Sequence, residues 1–468
     1  MKRQLPVALC MAAFLFTSCT VGPNYKRPVV NTPATYRGAE TDAAAAPNAT
    51  VSLGDEKWWT IFEDQQLQQL IRTALKQNFD VRLAAARILQ AQEQVTITRS
   101  YQMPTVSGGP TVAGVRQPGI PNVFPSYSYL ADQLGPSASW NIDFWGRYRR
   151  ATEAARANLR ASEWGQRAVL STLVANLATS YFELRELDLE LEIAKRTLAS
   201  RQESLKLTQT LEQGGATSLV DVRQAEQLVE QALALVPDTE RAIQQTENQI
   251  SILIGENPHE VVRGMALTEQ PLRASIPAGL PSRLLERRPD IRQAEQQLVA
   301  ANAQIGVARA QLFPQISLTG TAGLQSIGLG NLFDWPARAW NWTGAASQPI
   351  FNGGALRANV RLTQAQQQQA LLTYQQAVQQ AFRDVSDSLI AYSKYREFRT
   401  HQEALASAAQ GASELSHTRY QGGVTSYLEV LTNETNYFTA ELGLARARLG
   451  ERLALVQIYD ALGGGWEQ

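Results

Sequence analysis

Few side chains in this sequence could carry out covalent chemistry. Both cysteines, Cys10 and Cys19, lie among the first twenty of the 468 residues, so disulfides, thiolate metal sites and cysteine nucleophiles are excluded from the rest of the chain. The three histidines, His259, His401 and His417, are too far apart to predict a metal cluster. There is no Ser-His-Asp set and no phosphate-binding glycine loop. We therefore predict that the protein is not an enzyme and that it has no cofactor and no bound metal.

Two carboxylates are more informative because they occupy equivalent positions in a repeated sequence. Asp221 and Glu429 each lie seven residues beyond the first glycine of a pair, Gly214-Gly215 or Gly422-Gly423. In an oligomer such residues could line a narrow opening, where a ring of carboxylates favours cations and makes constriction costly. Alternatively, they are solvated residues near the N-terminus of a helix, where carboxylates are generally favourable.

Composition and charge narrow the class of protein. The 43 basic residues balance the 43 acidic ones, so neither a nucleic-acid footprint nor a polybasic membrane-binding patch is visible. No apolar run reaches the ~18 residues that a membrane-spanning helix needs. We therefore predict that nucleic acid is not a partner.

Residues 1–18 resemble a bacterial lipoprotein signal peptide. A basic start precedes the apolar run Leu5–Phe16, as in secretory signals. The next residues, Thr17-Ser18-Cys19, resemble the end of the lipobox, which implies that Cys19 is lipidated and becomes the new N-terminus. Ordinary cleavage beside an incidental cysteine is the alternative. Because Thr20 follows, rather than the aspartate typical of inner-membrane retention, the resemblance implies a lipid anchor in the outer membrane.

Two very long helices dominate the predicted structure, one from Arg147 to Gln213 and one from Ala355 to about Tyr420. Neither contains proline, and each has a single glycine. In the first, apolar residues recur every three or four positions, and their average spacing of about 3.5 residues is typical of a left-handed coiled coil. At about 1.5 Å per residue, each helix would be roughly 100 Å long, far more than a compact domain needs.

The same architecture occurs twice in the chain. Asp80-Val81-Arg82 is matched by Asp290-Ile291-Arg292, and the turn Gln213–Ser218 is matched by Gln421–Ser426. Matching segments in the same order predict an internal duplication.

The duplication divides the chain after its signal peptide into three parts. Residues 19–62 are rich in proline and alanine and are predicted to be extended. Residues 63–270 form a first structural repeat and residues 271–468 a second, each with a helix, a β-hairpin, a long helix and a return helix. The first return helix is predicted over Leu219–Ile254, with Ser218 as its N-cap.

Strand-like alternation with intervening turn residues occurs in both repeats. Because each repeat offers one β-hairpin, the chain supplies about four strands, which are too few to close a barrel, and open edges cannot face lipid. A trimer would supply about 12 strands, above the ~8 that a small barrel needs. The predicted segments are Thr105–Gly109, Tyr127–Leu130, Trp140–Trp145, Gln315–Gly320 and Trp340–Gly344.

Aromatic residues lie in or beside these strands, where the aromatic belt of a membrane barrel would be. They are Tyr127, Tyr129, Trp140, Trp145, Trp340 and Trp342. Two soluble hairpins with packed aromatic residues are the alternative. The lipoprotein signal and the helices of about 100 Å favour a protein of the bacterial envelope.

The whole chain resembles the bacterial outer-membrane efflux protein family, the TolC-like factors, and in particular their lipidated branch. The residues that carry the resemblance are Cys19–Tyr25, the prolines Pro104 and Pro314 at strand starts, and the segments Arg419–Val424 and Tyr427–Leu431. The resemblance implies a mixed, mainly α fold with four β-strands per chain. A homotrimer would form a β-barrel of about 12 strands in the outer membrane and a long α-barrel that extends into the periplasm.

This resemblance implies the exit duct of a tripartite efflux system, which passively conducts drugs or other small toxic solutes. An inner-membrane transporter, with the RND type favoured, would supply the energy, and a periplasmic adaptor protein would join the two. Three alternatives stay open: export of metal ions or of secreted polypeptide by the same family, or a structural lipoprotein that tethers envelope layers. Only four methionines are present, two of them in the signal segment, so a soft-metal cargo is disfavoured.

The resemblance also implies which residues close the periplasmic tip. Arg419 and Tyr420 match family positions that bond neighbouring helices and hold the tip shut, and Leu428 matches a constriction residue. In a trimer, the copies of Asp221 and Glu429 would lie near one narrow aperture.

The chain departs from the family pattern in two places. Thr432 stands where the family has a second acidic residue, although Glu434 is nearby. In the first repeat, Leu211 and Glu212 stand where Arg419 and Tyr420 stand in the second. We therefore expect the two repeats to close the tip differently.

Overall fold

The computed structural model describes residues 20–38, 52–119, 121, 123–271 and 276–466. Within them the chain is mainly helical, and every helix is too short or too polar to cross a membrane. The helices are α1 (Trp58–Ile61), α2 (Gln65–Gln77), α3 (Phe79–Ser100), α4 (Arg147–Gln213), α5 (Leu219–Ile254), α6 (Pro281–Arg287), α7 (Pro289–Ala310), α8 (Ala355–Gln421) and α9 (Tyr427–Ala461). The strands are β1 (Thr105–Gln117), β2 (Tyr127–Ile142), β3 (Gln315–Ser326) and β4 (Arg338–Ser347).

The two long helices, α4 and α8, have 67 residues each. The predicted bounds of α4 are confirmed, and α8 ends at Gln421, one residue later than predicted. The apolar positions that set the predicted period are buried: Leu177, Tyr181 and Leu184 each have 0% exposure. These helices form because a regular apolar stripe can be buried along a stretch that no proline interrupts.

The four strands form one antiparallel sheet in the order β1-β2-β3-β4. All four strands extend beyond their predicted segments. The segments Tyr127–Leu130 and Trp140–Trp145, predicted separately, belong largely to one 16-residue strand, β2. That strand ends at Ile142, so the interpretation of Asp143, Phe144 and Trp145 as strand residues was wrong. Asp143 instead accepts hydrogen bonds from the backbone of Tyr148 and Arg149 at the start of α4.

Antiparallel pairing of β2 with β3 joins the two hairpins into one sheet, and two glycines approach closely within this pairing. Between β2 and β3 the regular pairing is interrupted after Leu134 and resumes at Ser137. At this interruption, a Cβ on Gly135 would lie 2.7 Å from Cα of Gly323, and one on Gly323 would lie 2.8 Å from Cα of Gly135. Only residues without a side chain allow the backbones to come this close.

The described residues group into two compact units. One contains the residues up to Val29 together with Arg87–Glu163 and Gln293–Tyr374, and therefore the whole sheet. The other contains Val30–Ala86, Trp164–Arg292 and the residues from Gln375 onwards.

In the first unit, residues 20–29 form an extended strap. The prediction that residues 19–62 are extended does not hold for Trp58–Ile61, which form α1. Val21 N donates to the carbonyl of Trp145 at 3.1 Å. Gly22 lies directly against Gly306, because a Cβ on Gly22 would come within 2.5 Å of the Gly306 Cα. Arg150 fixes the strap at Asn24 by donating a hydrogen bond to Asn24 Oδ1 at 2.6 Å. Cys19, the predicted lipidation site, lies outside the described residues.

In the second unit, Asp64 organises the region where the first repeat begins. Its carboxylate is 1% exposed and caps α2 by accepting from Gln66 N at 2.8 Å. The same side chain accepts from the Tyr181 hydroxyl at 2.8 Å, from Met265 N at 2.8 Å and from Gln270 Nε2 at 2.9 Å. This buried charge is therefore satisfied by donors from distant parts of the chain.

Candidate functional site

The candidate site lies at the two turns that join each long helix to its return helix. Gly215 and Gly423 adopt left-handed φ values of 73° and 70°, which glycine tolerates best and which end the preceding helix. In each turn, a backbone N–H returns to the last helical turn: Ala216 N donates to the Leu211 carbonyl at 2.8 Å, and Val424 N donates to the Arg419 carbonyl at 2.9 Å. The duplicated sequence therefore forms the same turn twice.

At the first turn, Asp221 caps its own helix. Its Oδ2 accepts from Ser218 N at 3.1 Å, from Ser218 Oγ at 2.9 Å and from Thr217 Oγ1. The Ser218 hydroxyl in turn accepts from Asp221 N at 3.4 Å, which completes a capping box at the start of α5. The hydrogen bond from Thr217, followed by those from Ser218, lowers the pKa of Asp221 although partial burial opposes it. Asp221 is therefore held in its ionised form.

At the second turn, Glu429 has a different set of partners. Its Oε1 lies 3.3 Å from Nη1 of Arg419 on the preceding long helix, and its Oε2 accepts from Thr425. The side chain of Ser426 makes no capping bond to α9, unlike Ser218 in the first repeat. Both partners of the ion pair are substantially exposed, so it contributes only about 0.2–1 kcal/mol. The second turn is thus closed partly by a weak and reversible charge pair.

Tyr420 packs the second turn against the first hairpin. Its ring centroid lies 5.5 Å from that of Tyr427, with the ring planes tilted by 58°. Tyr427 belongs to a buried cluster with Ala225 of α5 and Val430, against which Tyr420 packs together with Leu205 and Leu431. The Tyr420 hydroxyl is buried and has no hydrogen-bond partner among the residues that the structure describes. Within one chain, therefore, Tyr420 acts through its ring.

Leu428 presents an apolar surface beside this turn. Its side chain is 56% exposed, and Val424 in the turn itself is also exposed. In the first repeat, Val220 occupies the position equivalent to Leu428 and is exposed as well. Large apolar side chains at adjacent exposed positions suit contacts with other chains rather than with the core of their own chain.

The first turn lacks the charge pair of the second. Leu211, at the position equivalent to Arg419, is apolar, and among the described residues Asp221 bonds to neighbours in its own turn. The structure therefore brings Arg419 to Glu429 and Tyr420 to Tyr427, but it gives Asp221 a local capping role.

His417 and Glu434 form a further polar contact close to the second turn. His417 Nε2 lies 2.7 Å from Glu434 Oε1, although the sequence left the histidine without an apparent partner. The sequence does contain one indication of this contact. His417 lies four residues before the end of α8 and Glu434 lies seven residues after the start of α9, so both residues are near the turn that joins the two helices. In the described residues, no group of three or more His, Cys, Asp or Glu side chains could hold a metal ion.

Comparison with known proteins identifies the class of protein. The model of the outer membrane efflux protein family matches residues 70–256 and 280–464, which together make up most of the chain. The chain belongs to the outer membrane efflux protein family.

Individual relatives align with this chain over nearly their full length. The toluene efflux pump outer membrane protein TtgI of Pseudomonas putida is 34% identical over 468 residues, which cover 99% of this chain and 98% of the relative. The cation efflux system protein CusC of Escherichia coli (strain K12) is 32% identical over 465 residues, covering 99% of both chains.

Solved structures share the fold. The outer-membrane channel OprN is 31% identical and superimposes with a TM-score of 0.87, covering 96% of this chain and 100% of that chain. The open state of the Neisseria gonorrhoeae MtrE outer membrane channel is also 31% identical, with a TM-score of 0.84 and coverage of 96% and 99%.

These findings confirm the family, the fold class and the location that the sequence predicted. The protein is an outer-membrane channel of the TolC-like type, the exit duct of a tripartite efflux system. The trimeric β-barrel and α-barrel follow from its relatives, and the members of this family are channels rather than enzymes.

Proposed function

We propose that the two turns form the constricted periplasmic end of this channel and that the channel passively conducts small organic toxic solutes. The proposed position of the constriction rests on one observation: Asp221 and Glu429 occupy equivalent places, one beside each turn. In a homotrimer, three copies of each carboxylate would converge on one aperture. Such a ring favours cations, and it makes narrowing costly unless the charges are paired.

The second turn supplies that pairing. Arg419 lies 3.3 Å from Glu429, so it reduces the repulsion among the carboxylates when the aperture narrows. Tyr420 anchors the same turn to the hydrophobic cluster around Tyr427. Leu428, exposed beside the turn, is suited to contact its copies in the trimer and so to form the narrowest apolar ring.

The proposed cargo rests on the chemistry of the chain and on the names of its relatives. TtgI is named for toluene efflux, and ArpC of Pseudomonas putida, 34% identical, is named for antibiotic efflux. CusC is named for cation efflux, which makes metal ions the second candidate. Copper-type ions prefer thioether and thiolate ligands, but two of the four methionines and both cysteines lie among the first nineteen residues, so we favour organic solutes.

We also infer the partners and the covalent organisation of the mature protein. The duct works with a periplasmic adaptor and an inner-membrane transporter of RND type. Cys19 carries the lipid anchor, as its lipobox-like context suggests. The two stretches matched by the family model support the division into repeats at residues 63–270 and 271–468.

Single-channel conductance in a planar lipid bilayer tests the closed tip. The native protein is expected to show small, cation-selective currents. Arg419→Ala should enlarge them, because Glu429 then loses its cationic partner. Arg223→Ala is the matched control: this arginine also lies near a turn, but it pairs with Glu226 on its own helix, and its removal should leave the current unchanged.

A membrane-inserted protein that conducts nothing, even as Arg419→Ala, would refute the duct and favour an envelope tether. The cargo is tested separately in a bacterial strain that lacks its own outer-membrane channel. Expression with an RND pump and adaptor should restore resistance to toluene and antibiotics. Restoration of copper resistance alone would overturn the proposed cargo.

A further inference from the structure

Glu434 connects helices of both hairpins close to the turns. Its side chain lies on α9 and is 7% exposed. Its Oε1 accepts from Ser204 Oγ of α4 at 3.0 Å and lies 2.7 Å from Nε2 of His417 on α8. A single carboxylate therefore links the second hairpin, α8 and α9, to the long helix of the first.

This contact is the first of a series along the two helices. Further from the turns, Glu441 of α9 pairs with Arg196 of α4, and Arg446 pairs with Glu190 at 3.0 Å. Among the polar links between α4 and α9 in the described residues, the one from Ser204 to Glu434 is nearest to the turns. It is thus the first polar contact between α4 and α9 that must break when the hairpins separate at the tip.

The contact belongs to the second repeat alone. Gln209 and Glu226 occupy the positions equivalent to His417 and Glu434. Glu226 pairs at 2.7 Å with Arg223 on its own helix and does not join separate helices. The duplicated fold therefore carries a histidine at this level in only one of its two hairpins.

The residues around Glu434 make the stability of the closed arrangement depend on the charge of His417. The second oxygen of Glu434 is buried and has no partner among the described residues. Arg201 is 3% exposed and nearby, but it donates to the Leu228 carbonyl at 2.9 Å and stacks over Phe438. Arg201 therefore offsets the charge of Glu434 without a hydrogen bond to it, and a protonated His417 adds a charge-assisted hydrogen bond, so the closed arrangement is most stable when His417 is protonated.

The other groups that face this contact keep their charge state near neutral pH. Burial raises the pKa of Tyr427 far above its usual range, so its hydroxyl stays neutral. Burial lowers the pKa of Arg201, with Glu434 opposing, yet an arginine remains charged under these conditions. From α5, the Leu228 carbonyl accepts from Arg201, and the charge of Asp221 acts on Tyr427. The remaining ionisable groups that line the adjoining cavity of about 270 Å³ are Arg196, Glu414, Tyr437 and Glu441.

The direction of the pH effect follows from the histidine. The hydrogen bond to Glu434 raises the pKa of His417, although burial opposes it. The closed form therefore binds a proton more tightly than a form in which the two residues have separated. Stabilisation by the pair is complete below the ordinary histidine pKa of about 6.5 and is lost as the pH rises through the higher pKa of the closed form.

We propose that Ser204, His417 and Glu434 form a proton-sensitive latch that fastens the second hairpin to the first long helix, so that acid holds the duct closed and alkali loosens it. The latch rests on the proposed function in that it acts on the closed tip. It makes Glu434 and His417 positioning residues for closure, separate from Arg419 and Glu429 at the turn itself.

Channel recordings at several pH values test the latch. In the native protein, the ratio of open to closed time should rise at least about tenfold between about pH 5.5 and about pH 8.5, as one charge-assisted contact is lost in each subunit. His417→Gln and Glu434→Gln should each remove this dependence and hold the ratio near the native alkaline value. The double variant should behave like either single variant, because both remove the same contact.

Two control variants separate the latch from general effects. His401→Gln changes an exposed histidine on the same helix α8, and Glu226→Gln changes the equivalent carboxylate of the first repeat. Both should keep the native pH profile. A native profile in His417→Gln, or a lost profile in His401→Gln, would overturn the proposal.

A distance measurement keeps the test independent of conduction. Spin labels on Glu203→Cys of α4 and Asn436→Cys of α9, both exposed positions, report the separation of these helices in detergent. With Cys10 and Cys19 replaced by serine, the distance should lengthen with rising pH, and His417→Gln should abolish this change. If no variant conducts but the distance responds, the duct fails and the latch stands. If current flows and neither readout depends on His417, the latch fails and the duct stands.

Discussion

Tyr420→Ala is the sharpest test of how the tip stays shut. The substitution removes a ring that packs 5.5 Å from Tyr427 and covers the cluster around Ala225 and Val430. Truncation of a fully buried aromatic side chain costs about 3–5 kcal/mol. Tyr420 is only partly buried, so we expect about half of this, or about 2 kcal/mol per subunit.

The trimer multiplies this effect. If three subunits open together, the closed form loses about 6 kcal/mol, and about 5.5 kcal/mol is enough to turn a 1:99 equilibrium into 99:1. Tyr420→Ala should therefore convert brief openings into a nearly permanent open state in planar-bilayer recordings, provided that the trimer remains intact on size-exclusion chromatography.

Tyr420→Phe is the matched control. It keeps the ring and removes only a hydroxyl that has no partner in the described residues, so its conductance should equal that of the native protein. If Tyr420→Phe opens the channel as far as Tyr420→Ala, the hydroxyl bonds to a neighbouring chain and the ring-packing argument is refuted.

Three further predictions concern the strap, the anchor and the aperture. Gly306→Val should detach the strap, because a Cβ at this position lies 2.9 Å from the Val21 carbonyl oxygen. Proteolysis of the strap should then become several-fold faster. Gly344→Ala is the control, because a Cβ at that position lies in open space, and it should not change the rate of proteolysis. Cys19→Ser should leave the fold intact and weaken membrane retention, and fractionation that finds the variant fully membrane-bound would mean that the barrel alone suffices. Asp221→Asn should reduce cation selectivity. Because hydrogen bonds lower the pKa of Asp221, the part of the selectivity that this residue contributes should persist as the pH falls through the ordinary aspartate value of about 3.9. Unchanged reversal potentials in the variant would remove this residue from the aperture.

The helices were predictable because their signals are local. An apolar period without proline set the long helices, and left-handed glycines set their ends, so the bounds of α4 and α5 are confirmed to the residue. The strands were less predictable from the sequence. β1 contains three glycines and Pro110 and is exposed along almost its entire length, so it offers little alternation, and only five of its 13 residues were predicted.

Pairing between distant segments was beyond the reach of the sequence. The two hairpins are joined by pairing of β2 with β3, and the close approach of Gly135 and Gly323 within that pairing becomes visible only in three dimensions. Asp64 caps the helix that it precedes, but its bonds to Tyr181 and Gln270 come from residues more than a hundred positions away. Long-range polar contacts leave no periodic pattern in a single sequence.

The candidate site shows the same limit. The duplicated turns and the equivalence of Asp221 and Glu429 could be read directly from the sequence. The absence of an ion pair at the first turn could also be expected, because Leu211 stands at the position of Arg419. The capping could not, because Ser218 caps its helix whereas the equivalent Ser426, an identical residue type, does not.

The strap also has a mechanical consequence for the lipid anchor. Thr20 lies against Gly146, where only a glycine leaves room for it, at the point where the sheet gives way to α4. Thr20, the first described residue, is therefore held at the level where α4 begins. If Cys19 carries the proposed lipid, the contact of Thr20 with Gly146 would couple that anchor to the depth at which the barrel sits in the lipid. Insertion of a short glycine spacer after Thr20 should free the barrel to settle at the depth that its own apolar band prefers.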